Sequence, residues 1–299
     1  MQRRSFIRNT GLTIGALALT QQQLLAHLLA DPTYKMKTLR NDIGIFTEKG
    51  GTILYMVNNG GIVVVDSQFP DSAVHLIAEL KKQSEKPFEL LINTHHHGDH
   101  TSGNIAFKGL AKHVVAHINS KINQQAVVVK QKKEDQQLYP DITFDDTWKA
   151  TVGKEKIMAH YFGAGHTNGD AIIHFEHANI AHMGDLHFNR RHPYIDRSAG
   201  ANIRSWMSVI DKTLTTFNND TLFVFGNALD PEKVTGNKED LKAFQDYLGK
   251  VLTFAEGEFK AGKSKEEFIK NTAIPGNTEW QGDGIERPLT AAYEEVSGK

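Results

Sequence analysis

One short segment constrains this chain more than any other: a histidine-rich stretch that begins at His95 and directly follows an apolar run, residues 88–92. The apolar run predicts a buried strand, because short apolar runs between polar segments are typical of strands covered on both faces. His95 and His97 are two residues apart, so in extended backbone their side chains point the same way. Asp99 and His100 follow on the next turn, from which they can reach a neighbouring position. The spacing therefore predicts a metal site at the end of a strand.

The composition leaves imidazole and carboxylate as the main metal ligands. The 299 residues include 15 histidines and no cysteine. Disulfides, thiolate metal sites, iron–sulfur clusters and cysteine nucleophiles are therefore excluded. Imidazole nitrogen combined with carboxylate oxygen is zinc-type ligation, so we expect one or two Zn²⁺ ions, although iron or manganese fit the same ligands.

Two further segments supply ligands of the same kind. A glycine-rich turn, residues 163–170, contains His166, which adds a third imidazole. Three imidazoles with a fourth position left open are typical of catalytic zinc. Asp185 follows a short apolar run, residues 180–182, and its two carboxylate oxygens can bridge two metal ions.

Together these pieces resemble the metallo-β-lactamase superfamily, over roughly residues 43–234. The resemblance rests on four matching pieces: Val65-Asp66, Thr94 to Asn104, Gly163 to Asp170, and Gly184-Asp185. It implies an α/β fold of the α+β type, a four-layer αββα sandwich with the site where the two sheets meet. It also implies six metal ligands. The first metal is bound by His95, His97 and His166, the second by Asp99 and His100, and Asp185 lies between the two metals.

One position departs from the pattern of this family. The family usually places a last histidine ligand in a Gly-His-Gly-like turn after a final strand, and the matching stretch here, residues 224–228, has Asn227 instead. A neutral amide oxygen is a poorer zinc donor than imidazole. We therefore treat Asn227 as a weak or vacant ligand position and expect reduced occupancy of the second metal.

The resemblance and the ligand set predict hydrolysis. Zinc held by neutral imidazoles lowers the pKa of its bound water from about 16 to about 7, so hydroxide is available at neutral pH. We expect this metal-bound hydroxide to attack an ester, lactone, thioester or amide bond. Asp99 and Asp185 are the candidate catalytic residues, because they can orient the nucleophile and accept its proton. Asp66, Thr167 and Asp170 are expected to fix the ligand geometry.

Two alternatives remain open. The first is a periplasmic β-lactamase, although the β-lactam-cleaving members of the family usually have Cys or Ser where this chain has Asp185. The second is a catalytically impaired member that binds a metal or a partner, which the replacement at Asn227 favours.

Two expectations concern the remaining histidines and the basic residues near them. Four histidines are expected to be structural: His96, His174, His177 and His182. His187 and the basic run at residues 190–194 follow Asp185 closely, and arginine suits carboxylate or phosphate groups. These residues either line the substrate cleft and bind an anionic group, or form a solvated basic loop.

Residues 1–30 have the composition of an export signal. They contain Arg3, Arg4 and Arg8, no acidic residue, and an apolar run at 11–19 that is too short to span a bilayer. The arginine pair resembles a twin-arginine signal, which implies the twin-arginine export machinery as a partner and a bacterial periplasmic location. An amphipathic amino-terminal helix or a lipid anchor is the alternative, although a bacterial lipoprotein is excluded because the chain has no cysteine.

The rest of the chain, residues 31–299, contains no internal repeat or low-complexity linker, so we expect one domain without a membrane span. Strand-like and helical patterns alternate along it, which predicts helices that cover sheets, and early hairpin turns argue against a purely parallel sheet. The net charge of −1 does not favour nucleic-acid binding, so the expected partner is a small-molecule substrate.

Two local predictions concern elements near the expected site. Asp71 is expected to cap a helix, in which the apolar residues Val74, Ile77 and Leu80 keep helical spacing. Residues 131–146 are polar and contain a proline, which predicts a loop that borders the site.

Overall fold

The computed structural model of the protein describes residues 33–298. The predicted export signal, residues 1–30, lies outside the described residues and stays a prediction. Contacts divide the chain after Lys35, and the residues from Met36 onward form one compact unit. Within the described range, no helix is both long enough and apolar enough to cross a membrane.

The first sheet has seven strands that follow one another in chain order. Their bounds are β1 Lys35–Arg40, β2 Ile43–Thr47, β3 Ile53–Asn58, β4 Gly61–Val65, β5 Phe88–Ile92, β6 Ala111–His117 and β7 Ile142–Phe144. Strands β2 to β4 pair antiparallel, whereas β4 to β7 pair parallel. The sheet is therefore mixed, as the early hairpin turns predicted.

The second sheet has six strands in the order β15-β13-β11-β10-β9-β8. Their bounds are β8 Thr147–Val152, β9 Glu155–His160, β10 Ile172–Phe175, β11 Ile180–His182, β13 Leu222–Val224 and β15 Thr235–Gly236. Strands β11 and β13 pair in parallel, so their carboxyl ends lie at the same edge. A separate two-stranded ladder joins β12, Phe188–Asn189, to β14, Asn227–Ala228.

The described residues contain seven α-helices. Their bounds are α1 Pro70–Gln83, α2 Gly98–Thr101, α3 Ile118–Gln131, α4 Ile203–Thr216, α5 Lys238–Lys260, α6 Lys265–Phe268 and α7 Glu286–Ser297. Helix α5 begins with a capping box. The Asn237 side chain accepts a hydrogen bond from the backbone amide of Asp240, and the Asp240 side chain accepts one from the backbone amide of Asn237. Helix α7 was not predicted from the sequence.

Two hydrophobic cores hold the layers together. Val65 of β4 and Phe175 of β10 belong to the core between the two sheets. On the outer face of the second sheet, Phe223 packs in a second core with Trp206 of α4 and Leu248 of α5. Strand β4 is buried along its whole length, so the first sheet is covered on both faces. This arrangement of two sheets and flanking helices confirms the predicted αββα sandwich.

The predicted capping residue of α1 is wrong. Phe69, and not Asp71, occupies the capping position, because Pro70 takes the first helical position, where its fixed φ is favourable. Val74 lies on the outer face with 57% of its surface exposed, whereas Leu80 is fully buried.

The segment 131–146 is more ordered than predicted. It contains a short 3₁₀ helix, Glu134–Gln136, and the edge strand β7. The carbonyl oxygen of Leu138 accepts a hydrogen bond from Asn104 Nδ2 at 3.2 Å. The segment therefore packs beside the histidine motif, while other residues line the cavity described below.

Phe244 of α5 tests the packing of the helical layer. It is fully buried, with ring centroids 5.3 Å from Trp206 and 5.9 Å from Trp280. We expect Phe244→Ala to lower the free energy of unfolding by about 3–5 kcal/mol, because burial is lost and a cavity is left. Val74→Ala, at an exposed position, is the control and is expected to change it by less than about 0.5 kcal/mol. Urea denaturation measures both, and equal effects contradict this assignment of the core.

Candidate metal centre

The centre lies where the carboxyl ends of strands from both sheets meet. The histidine motif follows β5 of the first sheet, and Asp185 follows β11 of the second. Backbone hydrogen bonds join the two edges. The amide of Ala171 donates to the carbonyl of Thr94 at 2.8 Å, and the amide of Thr52 donates to the carbonyl of Gly226 at 2.9 Å.

Three imidazoles converge in the first part of the centre. One ring nitrogen each of His95, His97 and His166 lies within 4.8 Å of the other two. His97 Nδ1 and His166 Nε2 are 2.8 Å apart, and His95 Nε2 is buried without a hydrogen-bond partner. Burial, followed by the neighbouring histidines, lowers the pKa of His95 well below its usual value and that of His166 to about 3. Both rings are therefore neutral at pH 7, the state in which imidazole binds a metal.

A second group shares His95 and adds His100 and Asp185, again with ligand atoms within 4.8 Å of one another. His100 Nε2 lies 3.2 Å from Asp185 Oδ1 and 3.7 Å from Asp99 Oδ2. Burial opposes a charge on His100, but Asp185, Asp99 and Asp66 raise its pKa well above the usual value. Burial likewise opposes a charge on Asp185, yet the adjacent His100 lowers the pKa of its carboxyl. The carboxylates around this position thus favour a cation.

Asp66, just after β4, holds this second group in place. It is fully buried and has a φ of 66°, a left-handed conformation that Asp tolerates better than most residues. Its Oδ1 accepts a hydrogen bond from the Thr94 amide at 2.8 Å, and its Oδ2 accepts one from the Thr94 hydroxyl at 2.8 Å. The same Oδ2 lies 2.8 Å from His100 Nδ1. His100 therefore directs its other nitrogen, Nε2, at Asp185.

The turn that carries His166 is held by Asp170. Oδ2 of Asp170 accepts from the Thr167 amide at 2.7 Å, and Oδ1 accepts from the Thr167 hydroxyl at 2.9 Å. Burial raises the pKa of Asp170 to about 7, against the effect of these two bonds. His166 Nδ1 donates to the carbonyl of Tyr194 at 2.7 Å, so Nε2 carries the lone pair that can bind a metal.

Asn227 enters the centre from β14 with its amide group toward Asp185. Nδ2 of Asn227 donates to Oδ1 and Oδ2 of Asp185 at 2.9 and 3.2 Å. Oδ1 of Asn227 accepts a hydrogen bond from Arg191 Nη1 at 3.4 Å. The side chain of Asn227 therefore turns its NH₂ group, a hydrogen-bond donor, toward the Asp185 carboxylate, and its oxygen, which carries the lone pairs, toward Arg191.

One group of potential ligands was not predicted: His96, His97 and Asp196. Asp196 Oδ2 lies 2.9 Å from His97 Nε2 and 3.7 Å from His96 Nε2. This contact orients the His97 ring so that Nδ1 faces His166. No local pattern indicates this contact, because Asp196 is 99 residues from His97 and stands in no recognisable motif. His96 is buried and lies outside both groups that contain His95.

The structure divides the basic run. Arg191 and His192 line the cavity over the centre, as the cleft interpretation predicted. Arg190 does not: its guanidinium pairs with Glu279 at 3.2 Å and lies 4.6 Å over the ring of Trp280. Arg190 therefore has a structural role, because it binds two residues of the carboxyl-terminal region, Glu279 and Trp280.

His187 does not line the cleft either. It is fully buried, and its ring stacks on Phe225 with centroids 3.8 Å apart. His182 is structural, because Nε2 lies 2.9 Å from the carbonyl of Thr52 and Nδ1 accepts from the Gly184 amide at 2.9 Å. Two further histidines lie away from the centre, half-buried or exposed: His174 and His177.

A cavity of about 300 Å³ opens over the centre, a size that suits a small molecule. Asp99 and Asp185 face it, together with Asn227. Two exposed arginines, Arg191 and Arg287, complete its outer part. Sequence reasoning missed Arg287, because nothing near it in the sequence links α7 to the histidine motif.

The donors present fit a divalent metal ion. Neutral imidazole nitrogens and a carboxylate converge within bonding reach of common points, and this is the ligand chemistry that zinc takes in proteins. His95 Nε2 is a buried polar atom without a partner, a costly state that a bound metal relieves. The assignment of each residue as a ligand stays a prediction.

Gly226 tests the close packing around Asp185. A Cβ at position 226 would lie 2.2 Å from Asp185 Oδ1 and 2.7 Å from the backbone of Gly184. We expect Gly226→Ala to displace the carboxylate and to lower zinc affinity by on the order of tenfold or more. Gly257→Ala, where a Cβ meets nothing within 4 Å, is the control. Zinc titration against a chelating indicator measures both, and unchanged affinity in the Gly226 variant contradicts this geometry.

Known proteins resemble this chain in sequence and in fold. The model of the metallo-beta-lactamase superfamily matches residues 47–232. A metallo-beta-lactamase type 2 from Elizabethkingia meningoseptica is 27% identical over 153 residues, which cover 48% of this chain and 58% of that protein. A metallo-beta-lactamase type 2 from Bacillus cereus is 23% identical over 204 residues, which cover 65% of this chain and 77% of that protein.

A solved structure gives the same result for the fold. The metallo-beta-lactamase from Pontibacter korlensis superposes with a TM-score of 0.62 at 18% identity, covering 72% of this chain and 99% of that one. The family match extends over more than half of this chain and includes both histidine segments and Asp185. The chain therefore belongs to the metallo-β-lactamase superfamily, whose homologues are metal-dependent hydrolases.

Proposed function

We propose that this protein is an exported, zinc-dependent hydrolase that cleaves an ester, lactone, thioester or amide bond. One observation carries the proposal: His95 belongs to two adjacent ligand groups that lie beneath a cavity of small-molecule size. Two ligand groups that share His95 are suited to hold two ions close together, or one ion with the second group left without a metal.

The residues divide the work of holding the metal. His95, His97 and His166 would hold the first ion, and Asp99 and His100 would hold the second, with Asp185 between the two ions. Zinc, when bound, supplies a Lewis acid that makes water nucleophilic at neutral pH. Asp66 and Asp196 orient the imidazoles from behind, through their contacts with His100 and His97.

Asp99 and Asp185 differ in their surroundings and therefore in their role. The Asp99 side chain is 35% exposed and faces the cavity, so its carboxylate can exchange a proton with solvent or substrate. Asp185 is 5% exposed and is engaged by His100 and Asn227, so it acts as a ligand and orients the nucleophile. We assign proton acceptance to Asp99.

The contacts of Asn227 support unequal affinity at the two metal positions. Its amide donates to both oxygens of Asp185, which reduces the electron density that the carboxylate offers to a second ion. The first position is built from three imidazoles, and burial favours the neutral form of two of them, His95 and His166. We therefore propose a tight first zinc and a weak second one.

The export part of the proposal rests on the sequence alone. Arg3, Arg4 and Arg8 precede a short apolar run without an acidic residue, in the manner of a twin-arginine signal. This route delivers a folded chain to the periplasm, which suits a protein that acquires its metal before export.

A periplasmic β-lactamase is the second candidate. Two relatives carry that activity in their names, which favours it. Asp185 disfavours β-lactamase activity, because the β-lactam-cleaving members usually have Cys or Ser at this position. Turnover of the chromogenic cephalosporin nitrocefin, compared with that of an acyl lactone and a 4-nitrophenyl ester, separates the two.

His95 is the most informative position for the metal. We expect His95→Ala to reduce bound zinc to near zero and to abolish hydrolysis, because both ligand groups lose a member. His113→Ala is the matched control, since His113 is exposed and contacts only Asp141 at 2.8 Å among the described carboxylates. Elemental analysis of purified protein gives zinc per chain, and circular dichroism checks folding. Full zinc and full turnover in the His95 variant refute the assigned centre.

Substitution of Asn227 distinguishes an active enzyme from a catalytically impaired one. We expect Asn227→His to tighten the second zinc by on the order of tenfold to a hundredfold and to bring zinc per chain from near one toward two. Asn227→Ala removes the hydrogen bonds to Asp185 without adding a ligand, and serves as the control. A native protein that already holds two zinc ions contradicts the unequal affinities. A gain in zinc with no turnover of any ester, lactone or thioester, before or after, favours a metal- or partner-binding role.

A further inference from the structure

Helix α3 turns apolar side chains toward solvent and polar ones toward the protein. The residues of this helix that are fully buried, Ser120 and Gln124, are both polar. Ile122 and Val129, in contrast, are 52% and 57% exposed. A helix on the surface of a globular protein normally shows the reverse, with its apolar stripe toward the core. Packing within this chain therefore does not account for the outer face of α3.

Hydrogen bonds fix this orientation of the helix. Asn119 Nδ2 donates to the carbonyl of Asn168 at 2.9 Å, and Asn123 Nδ2 donates to Oδ1 of the same residue at 2.9 Å. Gln124 Nε2 donates to Asn93 Oδ1 at 3.2 Å. A rotation that buried the apolar residues would break these bonds, and a buried amide without a partner is costly. The apolar side chains are therefore held at the surface.

The outward apolar residues form one stripe along the helix. They are Ile118, Ile122, Ala126 and Val129, which are spaced four, four and three residues apart and therefore share one helix face. Ile118 is half-buried, and the other three are exposed. The helix has 14 residues. At its rise per residue, the face that carries the stripe is about 21 Å long.

Positive charge surrounds the stripe. Residues 118–133 contain four lysines and no acidic residue, in a chain with a net charge of −1. Lys121 is half-buried, and Lys130, Lys132 and Lys133 are exposed. Among the carboxylates of residues 33–298, none lies within ion-pair distance of these four lysines. Two acidic residues follow at 134 and 135, and residues 118–136 still have a net charge of +2. Apolar surface beside lysines is typical of helices that bind anionic lipid.

We propose that the outer face of α3 is a docking surface for an anionic phospholipid bilayer. The apolar stripe would enter the boundary between headgroups and acyl chains, and the lysines would bind lipid phosphates. This inference is independent of the proposed hydrolase function.

Charge and size both disfavour a second copy of the chain on this face. Two copies would bring two basic faces together, and these repel each other. One helix face of about 21 Å by 10 Å is also far smaller than the roughly 800 Å² per partner that a stable interface buries. A bilayer needs no such area, because the lysines add electrostatic attraction to the insertion of a few apolar side chains.

The docking surface lies close to the metal centre. The inner face of α3 contacts the turn that carries His166, through the two hydrogen bonds to Asn168. The packing is tight, because a Cβ at Gly169 would lie 2.6 Å from the backbone nitrogen of Ser120. One helix diameter, about 10 Å, would separate this turn from the lipid. Docking would therefore hold the metal centre near the membrane.

A dye attached at one position tests docking on the full-length chain. The chain has no cysteine, so one introduced cysteine takes a polarity-sensitive dye at a single place. Ala126→Cys places the dye in the stripe, and Ser208→Cys, exposed on α4 beside the second sheet, is the control. Each labelled protein is mixed with vesicles of phosphatidylcholine alone or of phosphatidylcholine with phosphatidylglycerol.

We expect emission from the dye at position 126 to shift to shorter wavelength with the phosphatidylglycerol vesicles only, and the dye at position 208 to show no shift. No shift at position 126 overturns the proposal, even if residues 1–30 attach the chain to the vesicles. An equal shift at both positions, or with both kinds of vesicle, also overturns it.

Substitutions on the labelled Ala126→Cys protein separate the apolar and the charged contributions. Ile122→Ser/Val129→Ser shortens the stripe, and Lys130→Gln/Lys132→Gln/Lys133→Gln removes three charges. We expect each set to raise the lipid concentration for half-maximal shift by about tenfold or more. Lys233→Gln/Lys242→Gln/Lys260→Gln removes the same charge elsewhere and is the control. An equal loss in both lysine variants means that net charge alone attracts the protein, and contradicts a specific surface.

Sedimentation velocity without lipid tests the second copy as the occupant. We expect the unsubstituted protein and Ile122→Ser/Val129→Ser to sediment alike. A dimer that these two substitutions convert to a monomer places a second copy on the stripe and overturns the lipid proposal. Circular dichroism of each variant checks that α3 and the rest of the fold are retained.

Discussion

The buried carboxylate of Asp66 is the constraint on which the rest of the centre depends. A fully buried charge is costly unless hydrogen bonds satisfy it, and Asp66 meets this requirement through its contacts with Thr94 and His100. These bonds connect the end of β4 to the segment after β5 and set the ring of His100. Replacing the carboxylate would leave the Thr94 amide and His100 Nδ1 without these bonds, so Asp66 helps to fix the position of the histidine motif.

The second sheet is attached to the first at the same place. The Thr94 carbonyl accepts from Ala171, and the Gly226 carbonyl accepts from Thr52, so backbone from both sheets is fixed within the centre. Glycine at 184 and 226 allows this approach, because a Cβ at either position would overlap Thr94 or Asp185. Side chains from distant parts of the chain thus converge at this edge of the two sheets.

Charge is distributed unevenly across the centre, and this distribution favours different tasks on its two sides. Burial keeps His95 and His166 neutral, which suits metal binding, whereas the carboxylates near His100 favour a positive charge there. Asn227 adds hydrogen-bond donors to Asp185 and receives one from Arg191. The two sides of the centre therefore differ both in the charge they favour and in their hydrogen bonding.

The sequence by itself determined the histidine motif, His166, Asp185 and the unusual Asn227, because closely spaced ligands after apolar strands leave a local pattern. It also determined the layered α/β architecture, because the alternation of apolar runs and helical periodicity is local as well. Only the tertiary structure brought in Asp196 and Arg287, since each reaches the centre from a segment without a motif of its own. It also separated Arg191 from Arg190 and buried His187 against Phe225, because the direction of a side chain in an irregular segment depends on the packing around it.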